Sequence, residues 1–142
     1  MYIQPKPSRT FLGRFETDRD LLQSLTDFCK KENIKLGTFN VVGAVKNANL
    51  GYYDQEKQQY AGRVELNKKL EIASCSGNIS LKDGEIMVHA HIVLADGEGK
   101  AFGGHLMPGT TIFAAEFHVQ EYVGAELHRE KDPKTGLPLW LQ

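Results

Sequence analysis

Three of the five histidines in this sequence lie close together along the chain, and their spacing suggests metal binding. His89 and His91 are separated by one residue in the apolar run 85–95, and His105 follows the pair Gly103–Gly104. Side chains alternate between the two faces of a strand, so His89 and His91 should share a face, about 6 to 7 Å apart at their Cα atoms. Two imidazoles at this spacing can converge on one ion, and a third from a neighbouring strand can complete the set. We therefore predict His89, His91 and His105 as metal ligands.

The ligand type indicates which metals such a site would hold. Three neutral imidazoles with an open fourth position are typical of Zn²⁺, and Ni²⁺, Co²⁺ or Fe²⁺ accept the same ligand type. The open position would hold water or a small anion, and metal occupancy should fall below the ordinary histidine pKa of about 6.5, because the ligands must be neutral. The alternative is that the three side chains only pack and form hydrogen bonds, since an HxH pair also occurs without a metal. The remaining histidines, His118 and His128, are expected at the surface or at subunit contacts.

One acidic residue also stands out. Glu116 interrupts the apolar run 112–119, where an unpaired carboxylate would be costly. We therefore expect Glu116 to have a partner, which could be an arginine, a histidine N–H group or the metal itself.

An amphipathic helix precedes the strands that would carry the histidines. Thr17 followed by Asp20 matches a capping box, and Asn33 lies near the expected end of the helix. Apolar residues recur on one helical face of segment 17–34, at Leu21, Leu22, Leu25, Phe28 and Cys29. This pattern predicts one main helix of about fifteen residues.

The rest of the sequence has the short, β-rich runs typical of a sheet. The predicted strands are 9–16, 37–45, 48–54, 61–66, 70–81, 85–95, 100–107 and one or two within 111–128. Asp83–Gly84 predicts a two-residue hairpin turn, and 96–99 predicts a second turn. These elements predict an α+β fold with a strongly curved, mostly antiparallel sheet and one main amphipathic helix.

The whole chain, 1–142, is long enough for one domain with one core. We place this core at about 9–128 and a C-terminal tail without periodicity at 129–142. The tail carries three residues that are too apolar to remain in water, Leu137, Leu139 and Trp140. We expect them to pack on the domain or on a neighbouring subunit.

Charge and composition narrow the possible partners. Seventeen basic and eighteen acidic side chains give a net charge of −1, so there is no overall positive field to attract phosphates. The basic pairs Lys30–Lys31 and Lys68–Lys69 each lie beside a glutamate and are interpreted as solvated surface. Cys29 and Cys75 match no paired-ligand spacing and are predicted to be buried thiols. No run approaches the roughly 18 apolar residues that span a bilayer, so we expect no membrane contact and a cytoplasmic protein.

Several motifs, taken in order, resemble the plants-and-prokaryotes-conserved (PPC, or PCC) domain family. They are 43-GAV-45, 48-ANLGYYD-54, 77-GNISLKDG-84, 88-VHAHIVL-94, 103-GGHL-106 and 114-AAEF-117. The resemblance extends from Arg9 to about Trp140, and it departs mildly at Ala44–Val45, where the family commonly has glycine. It implies a homotrimer and a proposed DNA-binding role.

In plants this domain is joined to AT-hook arms built around Arg-Gly-Arg-Pro, which enter the minor groove. This sequence contains no such arm, so we expect any duplex DNA binding to be weak and salt-sensitive, no tighter than about 10⁻⁶ M at physiological salt. The fold also resembles that of acetolactate decarboxylase, whose zinc is held by an HxH pair and a later histidine. This second resemblance implies zinc at His89, His91 and His105.

Two functional classes remain open. One is a homotrimeric DNA-binding or regulatory module, and an oligomer is also favoured by the apolar residues of 111–119 and 137–140 that exceed the needs of one small core. The other is a metal-dependent, zinc enzyme or ligand sensor. In that class Glu116, Arg9 or Arg14 would carry a proton or hold a small anionic ligand at the metal.

Overall fold

The computed structural model describes residues 1–140, and within that range the chain forms one helix and nine strands. The helix is α1 (Leu21–Lys31). The strands are β1 (Lys6–Phe15), β2 (Gly37–Asp54), β3 (Gln59–Leu66), β4 (Leu70–Lys82), β5 (Glu85–Ala95), β6 (Ala101–Leu106), β7 (Thr111–Val123), β8 (His128–Lys131) and β9 (Pro138–Trp140).

Strand β2 organises the sheet because its two halves have different neighbours. Its first half pairs with β7 and β4, and its second half pairs with β3 and β6. Since β6 pairs with β5 and β5 pairs with β4, the pairings β2–β6–β5–β4 close on themselves. Most neighbours are antiparallel, and β4 and β8 are parallel. These pairings confirm the predicted α+β class and the curved, mostly antiparallel sheet, although the runs 37–45 and 48–54 form one continuous strand.

Helix α1 packs its apolar face on the sheet beside β5. Leu21, Leu25 and Cys29 are completely buried. Phe28 meets the ring of Phe11 edge-on at 5.3 Å and lies 4.8 Å from the ring of Phe117. Burial on this scale contributes about 1.5–3 kcal/mol for each large apolar side chain, so the helix supports the strand that carries His89 and His91.

The N-cap of the helix lies three residues later than predicted. Asp20, not Thr17, is the N-cap, and its carboxylate accepts the backbone N–H of Gln23 at 2.8 Å. The same carboxylate accepts the backbone N–H of Gly109 at 2.6 Å. The Thr17 hydroxyl instead donates to a β7 carbonyl at 2.9 Å. The predicted capping box at Thr17 is therefore wrong, and the helix has 11 residues rather than about fifteen.

The helix ends where the sequence indicates. Asn33 adopts a positive φ of 53°, and its N–H donates to the Lys30 carbonyl at 3.1 Å while the Ile34 N–H donates to the Cys29 carbonyl at 2.9 Å. This pair of bonds is a Schellman motif, which satisfies carbonyls at the end of a helix.

The hairpin that leads into β5 is also as predicted. Asp83 and Gly84 have φ values of 52° and 79°, and they connect β4 to β5 with Lys82 opposite Glu85. A two-residue turn of this kind needs positive φ at both central positions. The turn sets the β4–β5 register and thereby the strand face on which the histidines lie.

The C-terminal tail adds two short strands to the sheet. β8 lies parallel to β4, with Lys82 opposite Arg129, and β9 pairs with β8. Strands of four and three residues have too little periodicity to be recognised in the sequence. They extend the sheet beyond residue 128 and bring the tail next to the histidine-bearing strands.

Both cysteines are buried free thiols, as predicted. Burial raises the pKa of Cys29 and that of Cys75 to about 12, so neither is a ready thiolate. Within residues 1–140, no helix is long and apolar enough to cross a membrane.

Candidate metal centre

Strand β5 places two histidines on one face, as the alternating pattern predicts. Val88, Ala90 and Ile92 point into the core, whereas His89 is half-buried and His91 is exposed. Because the intervening residues are fixed in the core, both histidine side chains are held on the opposite face of the strand.

His105 reaches the same face from β6. In the β5–β6 register it lies directly opposite His91, and on its other side it lies opposite Gly51 of β2. A Cβ on Gly104 would lie 3.1 Å from the Gly51 carbonyl oxygen, so a glycine at this position lets the strands approach closely. The predicted role of Gly103–Gly104 in bringing the third histidine beside the first two is consistent with this packing.

The three rings form a nearly equilateral cluster. The ring centroids of His89 and His91 are 5.2 Å apart, those of His89 and His105 are 5.0 Å apart, and those of His91 and His105 are 5.4 Å apart. One nitrogen from each ring lies within 4.8 Å of the others. Zinc–nitrogen bonds of about 2.0–2.1 Å in tetrahedral geometry place ligand nitrogens about 3.3 Å apart. Small ring rotations would therefore close this cluster around one ion.

The cluster contains a buried nitrogen without a hydrogen-bond partner. Nδ1 of His105 is inaccessible to solvent and has no hydrogen-bond partner among the residues described. An unsatisfied buried polar atom is costly, and native structures contain few of them. A metal ion is one group that could satisfy such a nitrogen.

The surroundings favour the neutral form of His89 and of His105. Burial lowers the pKa of His89 to about 4, helped by the positive charge of Arg129 and by the two neighbouring imidazoles. Burial also lowers the pKa of His105, with His91 and Arg129 as further causes. Neutral imidazole is the form that binds a metal, so His89 and His105 are ready to bind at neutral pH.

Arg129 is the functional candidate that the sequence pattern did not reveal. It is 7% exposed, and its Nε donates to Ser80 Oγ at 2.9 Å, its Nη1 to the Pro138 carbonyl at 2.8 Å and its Nη2 to Asn78 Oδ1 at 2.7 Å. The guanidinium carbon lies 5.1 Å from the centre of the Trp140 ring. Asn78 is also the β4 residue opposite His89, so one side chain holds Arg129 close to the histidines.

A cavity of about 580 Å³ opens above the histidine cluster. Its walls are mainly aromatic and apolar, and its charged lining residues are Arg129 and Lys82. The apolar and aromatic wall residues are Tyr52, Tyr53, Tyr60, Met87, Met107, Leu137, Pro138 and Leu139. Among the residues that the structure describes, no carboxylate lines this cavity.

Strand β4 lies very close to the backbone of His89 at Gly77. A Cβ on Gly77 would collide with the carbonyl oxygen of His89 and would lie 2.6 Å from Cζ of Phe39. Gly77 therefore fixes the distance between β4 and the backbone of His89. The GNIS motif of the sequence begins at this residue.

Three residues predicted to serve the site lie elsewhere. Glu116 is exposed on β7, opposite the exposed Arg14 of β1. The expectation that Glu116 is buried and needs a partner is wrong, because strand alternation turns its side chain outward. Arg9 is also committed elsewhere, since its Nε donates to Glu121 Oε2 at 2.7 Å and its Nη2 donates to the Glu32 carbonyl at 2.7 Å. Neither Glu116 nor the two arginines line the cavity.

The other histidines and the basic pairs lie away from the cluster. His128 is exposed, with its Nε2 3.4 Å from a carboxylate oxygen of Glu126, and His118 is half-buried on β7. One lysine of each basic pair contacts a carboxylate: Lys30 lies 3.7 Å from Glu85, and Lys68 lies 2.7 Å from Asp96. These ion pairs further reduce the positive charge available to a nucleic acid.

Comparison with known proteins gives the same fold and one related domain family. The model of the Plants and Prokaryotes Conserved (PCC) domain matches residues 2–123. A solved structure of a metal-containing protein from Archaeoglobus fulgidus is 37% identical, has a TM-score of 0.94, and is aligned over 100% of both chains. A plant- and prokaryote-conserved (PPC) protein from Pyrococcus horikoshii is 40% identical, has a TM-score of 0.93, and is aligned over 100% of this chain and 97% of its own.

Two further relatives differ in what is proposed or known of them. A proposed DNA-binding protein from Ralstonia eutropha is 25% identical, with a TM-score of 0.77, over 92% of this chain and 90% of its own. The bifunctional protein GlmU from a Synechococcus strain is 33% identical over 138 residues, which is 94% of this chain and 21% of GlmU. The present chain thus spans about a fifth of the curated relatives it matches.

Proposed function

This chain belongs to the Plants and Prokaryotes Conserved (PCC) domain family, and from that premise we propose that it is a metal-binding domain whose His89, His91 and His105 hold one divalent transition metal. Zinc suits three neutral imidazoles and an open fourth position best. The observation that carries this proposal is the convergence of the three rings, with one nitrogen from each within 4.8 Å of the others.

The alternative, in which the histidines only pack and form hydrogen bonds, accounts less well for these contacts. Ordinary buried histidines satisfy their ring nitrogens with protein partners, whereas Nδ1 of His105 has none in the described part of the chain. The homologue from Archaeoglobus fulgidus, which is described as metal-containing, adds independent support.

A metal bound here would act as a Lewis acid and would hold a water or a ligand oxygen at its open position. The protein's own residues would shape what reaches it. The exposed side of His91 leaves the site open to the cavity, and the aromatic wall, including Tyr60 at 5.3 Å from the His105 ring, excludes part of the solvent. This arrangement suits either a metal-dependent enzyme or a ligand sensor. The bifunctional activity of GlmU is not transferred to this chain, because the match covers 21% of GlmU.

Elemental analysis of the purified protein tests the proposal. We expect close to one zinc per chain, loss of the metal on dialysis against a chelator, and recovery of one equivalent when zinc is added back. A protein that stays free of metal and takes up none from Zn²⁺, Co²⁺, Ni²⁺ or Fe²⁺ would contradict it.

We also propose that the protein is a homotrimer. Three large apolar side chains lie exposed on neighbouring strands: Leu12 of β1 at 80%, Val42 of β2 at 54% and Phe113 of β7 at 59%. In the β1–β7–β2 registers, Leu12 lies opposite His118 and Val42 opposite Glu116, so these two share the outward face of the sheet. Exposed apolar patches of this kind are typical of subunit interfaces.

DNA binding is the second candidate function, favoured by the proposed role of the Ralstonia eutropha neighbour. The net charge of −1 offers few phosphate contacts, so we expect an affinity no tighter than about 10⁻⁶ M at physiological salt, with a strong decrease as salt rises. Fluorescence anisotropy with labelled A·T-rich and mixed-sequence duplexes tests this expectation. Nanomolar, sequence-selective binding would make DNA recognition the principal function.

A further inference from the structure

Arg129 carries a buried positive charge that no carboxylate of residues 1–140 pairs with. Its hydrogen-bond acceptors, Ser80, Asn78 and the Pro138 carbonyl, are all neutral oxygens, and in the described residues it takes part in no salt bridge. A guanidinium has five N–H donors, and these three bonds leave two of them free. Burying a charge is expensive unless it is paired, so the position calls for an anion that residues 1–140 do not supply.

The rest of the cavity increases the need for negative charge. Lys82 lines the same cavity, and no aspartate or glutamate does so among the described residues. Three neutral imidazoles would leave the two positive charges of a bound metal uncompensated. With the metal in place, the lining carries positive charge from three sources: the ion, Arg129 and Lys82.

The walls restrict the remainder of the ligand. Tyr53 and Tyr60 pack edge-on with their ring centroids 5.3 Å apart, and Met87, Met107 and Leu139 complete an apolar lining. Apolar walls with a few convergent polar groups are typical of small-molecule sites. They offer few hydrogen-bond partners to a highly polar ligand such as a sugar.

We infer that this cavity binds a small carboxylate with an apolar or aromatic body, and that Arg129 is the residue that holds the carboxylate beside the metal. The inference deepens the proposed function and rests on it for the metal. A carboxylate has two oxygens in one plane, which match the open metal position and the two free guanidinium donors. A carboxylate needs no further polar partner, whereas a phosphate has additional oxygens that the apolar part of the wall would not satisfy.

The position of Arg129 relative to the metal ligands supports this bridging arrangement. Asn78 accepts from Arg129 at 2.7 Å and lies opposite His89 in the β4–β5 register. The guanidinium is further fixed against Trp140, 5.1 Å from its ring centre. A preorganised cation of this kind can bind an anion with little loss of side-chain freedom.

The test uses the full chain, loaded with Co²⁺ so that ligand binding changes the visible spectrum of the metal. The probes are benzoate, its uncharged counterpart benzamide, and phenyl phosphate. We expect benzoate to perturb the spectrum and to bind at least about tenfold more tightly than benzamide, as a charge-assisted hydrogen bond worth about 1.5–3 kcal/mol implies. Benzoate should also bind more tightly than phenyl phosphate, whose extra oxygens meet the apolar wall. This comparison needs no variant, so it does not depend on whether a substitution disturbs the fold.

Variants then assign the effect to Arg129. Arg129→Gln should weaken benzoate binding at least about tenfold while the protein still binds one equivalent of metal. Arg14→Gln, at an exposed arginine of β1, is the matched control and should bind benzoate as the wild type does. Thermal unfolding of both variants shows whether the fold is kept.

The outcomes separate the two proposals. If the metal binds but benzoate binds no better than benzamide or phenyl phosphate, or is unaffected by Arg129→Gln in a folded protein, the carboxylate inference is wrong and the metal proposal stands. If the wild type binds no metal, the metal proposal fails. In that case, calorimetric titration of benzoate into the metal-free wild type and the Arg129→Gln variant decides the role of the arginine.

Discussion

At the scale of single residues, His105 is the member of the cluster with the strongest indication of a missing partner. Its Nδ1 is buried and unpaired in the described chain, its pKa is lowered mainly by burial, and its ring lies about equally far from those of His89 and His91. These properties are those of a neutral imidazole that can bind a metal ion.

We predict that His105→Ala abolishes stoichiometric metal binding. Changes outside the ligand set typically cost about 10–100-fold in metal affinity, so loss of a direct ligand should cost more. Competition against a fluorescent zinc chelator measures this effect. His118→Ala, on β7 and outside the cluster, is the control and should keep the wild-type affinity. Equal affinities for the two variants would count against the cluster as a metal site.

Gly77 controls the position of His89 through the backbone. There is no room for a Cβ between Gly77 and the His89 carbonyl. We therefore predict that Gly77→Ala destabilises the fold by about 1–3 kcal/mol or more, as overpacking does, and weakens metal binding by displacing His89. Urea unfolding and metal titration measure the two effects.

Gly97→Ala is the matched control, because no atom lies within 4 Å of the position of an added Cβ and its φ is ordinary. Its stability should differ from that of the wild type by no more than about 0.5 kcal/mol. A Gly77→Ala protein as stable as this control would show that β4 can shift away from β5 at little cost.

The histidines and Arg129 differ in how far the sequence reveals them. Strand alternation alone predicts that His89 and His91 share a face, and the hairpin at Asp83–Gly84 fixes which face it is. Arg129 lies in a four-residue strand whose partner is 47 positions earlier, Lys82. Short strands with distant partners leave no periodic signal, so its burial could not be predicted. For Glu116 the sequence predicts burial that the structure does not have, because the apolar run 112–119 suggests a strand buried on both faces.

At the scale of elements, an ion pair joins β1 to β7 and to the end of α1. Arg9 donates from Nε and Nη2 to the Glu121 carboxylate at 2.7 and 2.8 Å, and from Nη2 to the Glu32 carbonyl at 2.7 Å. The hydrogen bonds from Arg9 lower the pKa of Glu121, and they outweigh the opposing effect of burial. The carboxylate is therefore more readily ionised in the folded than in the unfolded protein.

This shift predicts a pH dependence of stability. A carboxyl whose pKa is lowered by folding contributes stability that is fully present above its unfolded pKa of about 4.3 and is lost as the pH falls through the lower folded pKa. The free energy of unfolding of the wild type should thus exceed that of Glu121→Gln at neutral pH, and the gap should shrink below about pH 4. Glu116→Gln, at an exposed glutamate of the same strand, should show no such gap. A Glu121→Gln gap that persists unchanged in acid would indicate that the pair contributes through packing alone.

At the scale of the whole molecule, the three histidines are brought together because the pairings among β2, β6, β5 and β4 close on themselves. Local turn signals in the sequence predict most of the strands and their order along the chain. The closed set of pairings among β2, β6, β5 and β4 cannot be predicted in this way. It depends on a change of neighbours midway along β2, from β7 and β4 to β6 and β3. The sequence 46–47 separates two apolar runs and suggests a break, but β2 continues through it. Long-range pairing of this kind is decided by the packing of the entire sheet rather than by local propensity.

The exposed apolar face of β1, β7 and β2 is also a property of the whole molecule, because association with other copies of the chain would cover it. We predict a native mass near three times the 15.9 kDa of one chain, measured by light scattering coupled to gel filtration. Leu12→Asp should lower this mass by placing a charge on the outward face. Arg63→Asp, at an exposed arginine of β3, is the control for added negative charge. A wild-type mass of one chain at micromolar concentration would contradict the proposed trimer.

X-ray absorption at the zinc edge of the metal-loaded protein tests the central claim most directly, because it reports the identity and number of the atoms bound to the metal. The account predicts three imidazole nitrogens at about 2.0–2.1 Å, together with an oxygen from water or a bound carboxylate. The multiple-scattering signal of imidazole should decline in the His105→Ala variant. Sulfur in the first shell, a shell with fewer than two imidazoles in the wild type, or a spectrum of fully hydrated zinc would contradict a metal held by His89, His91 and His105.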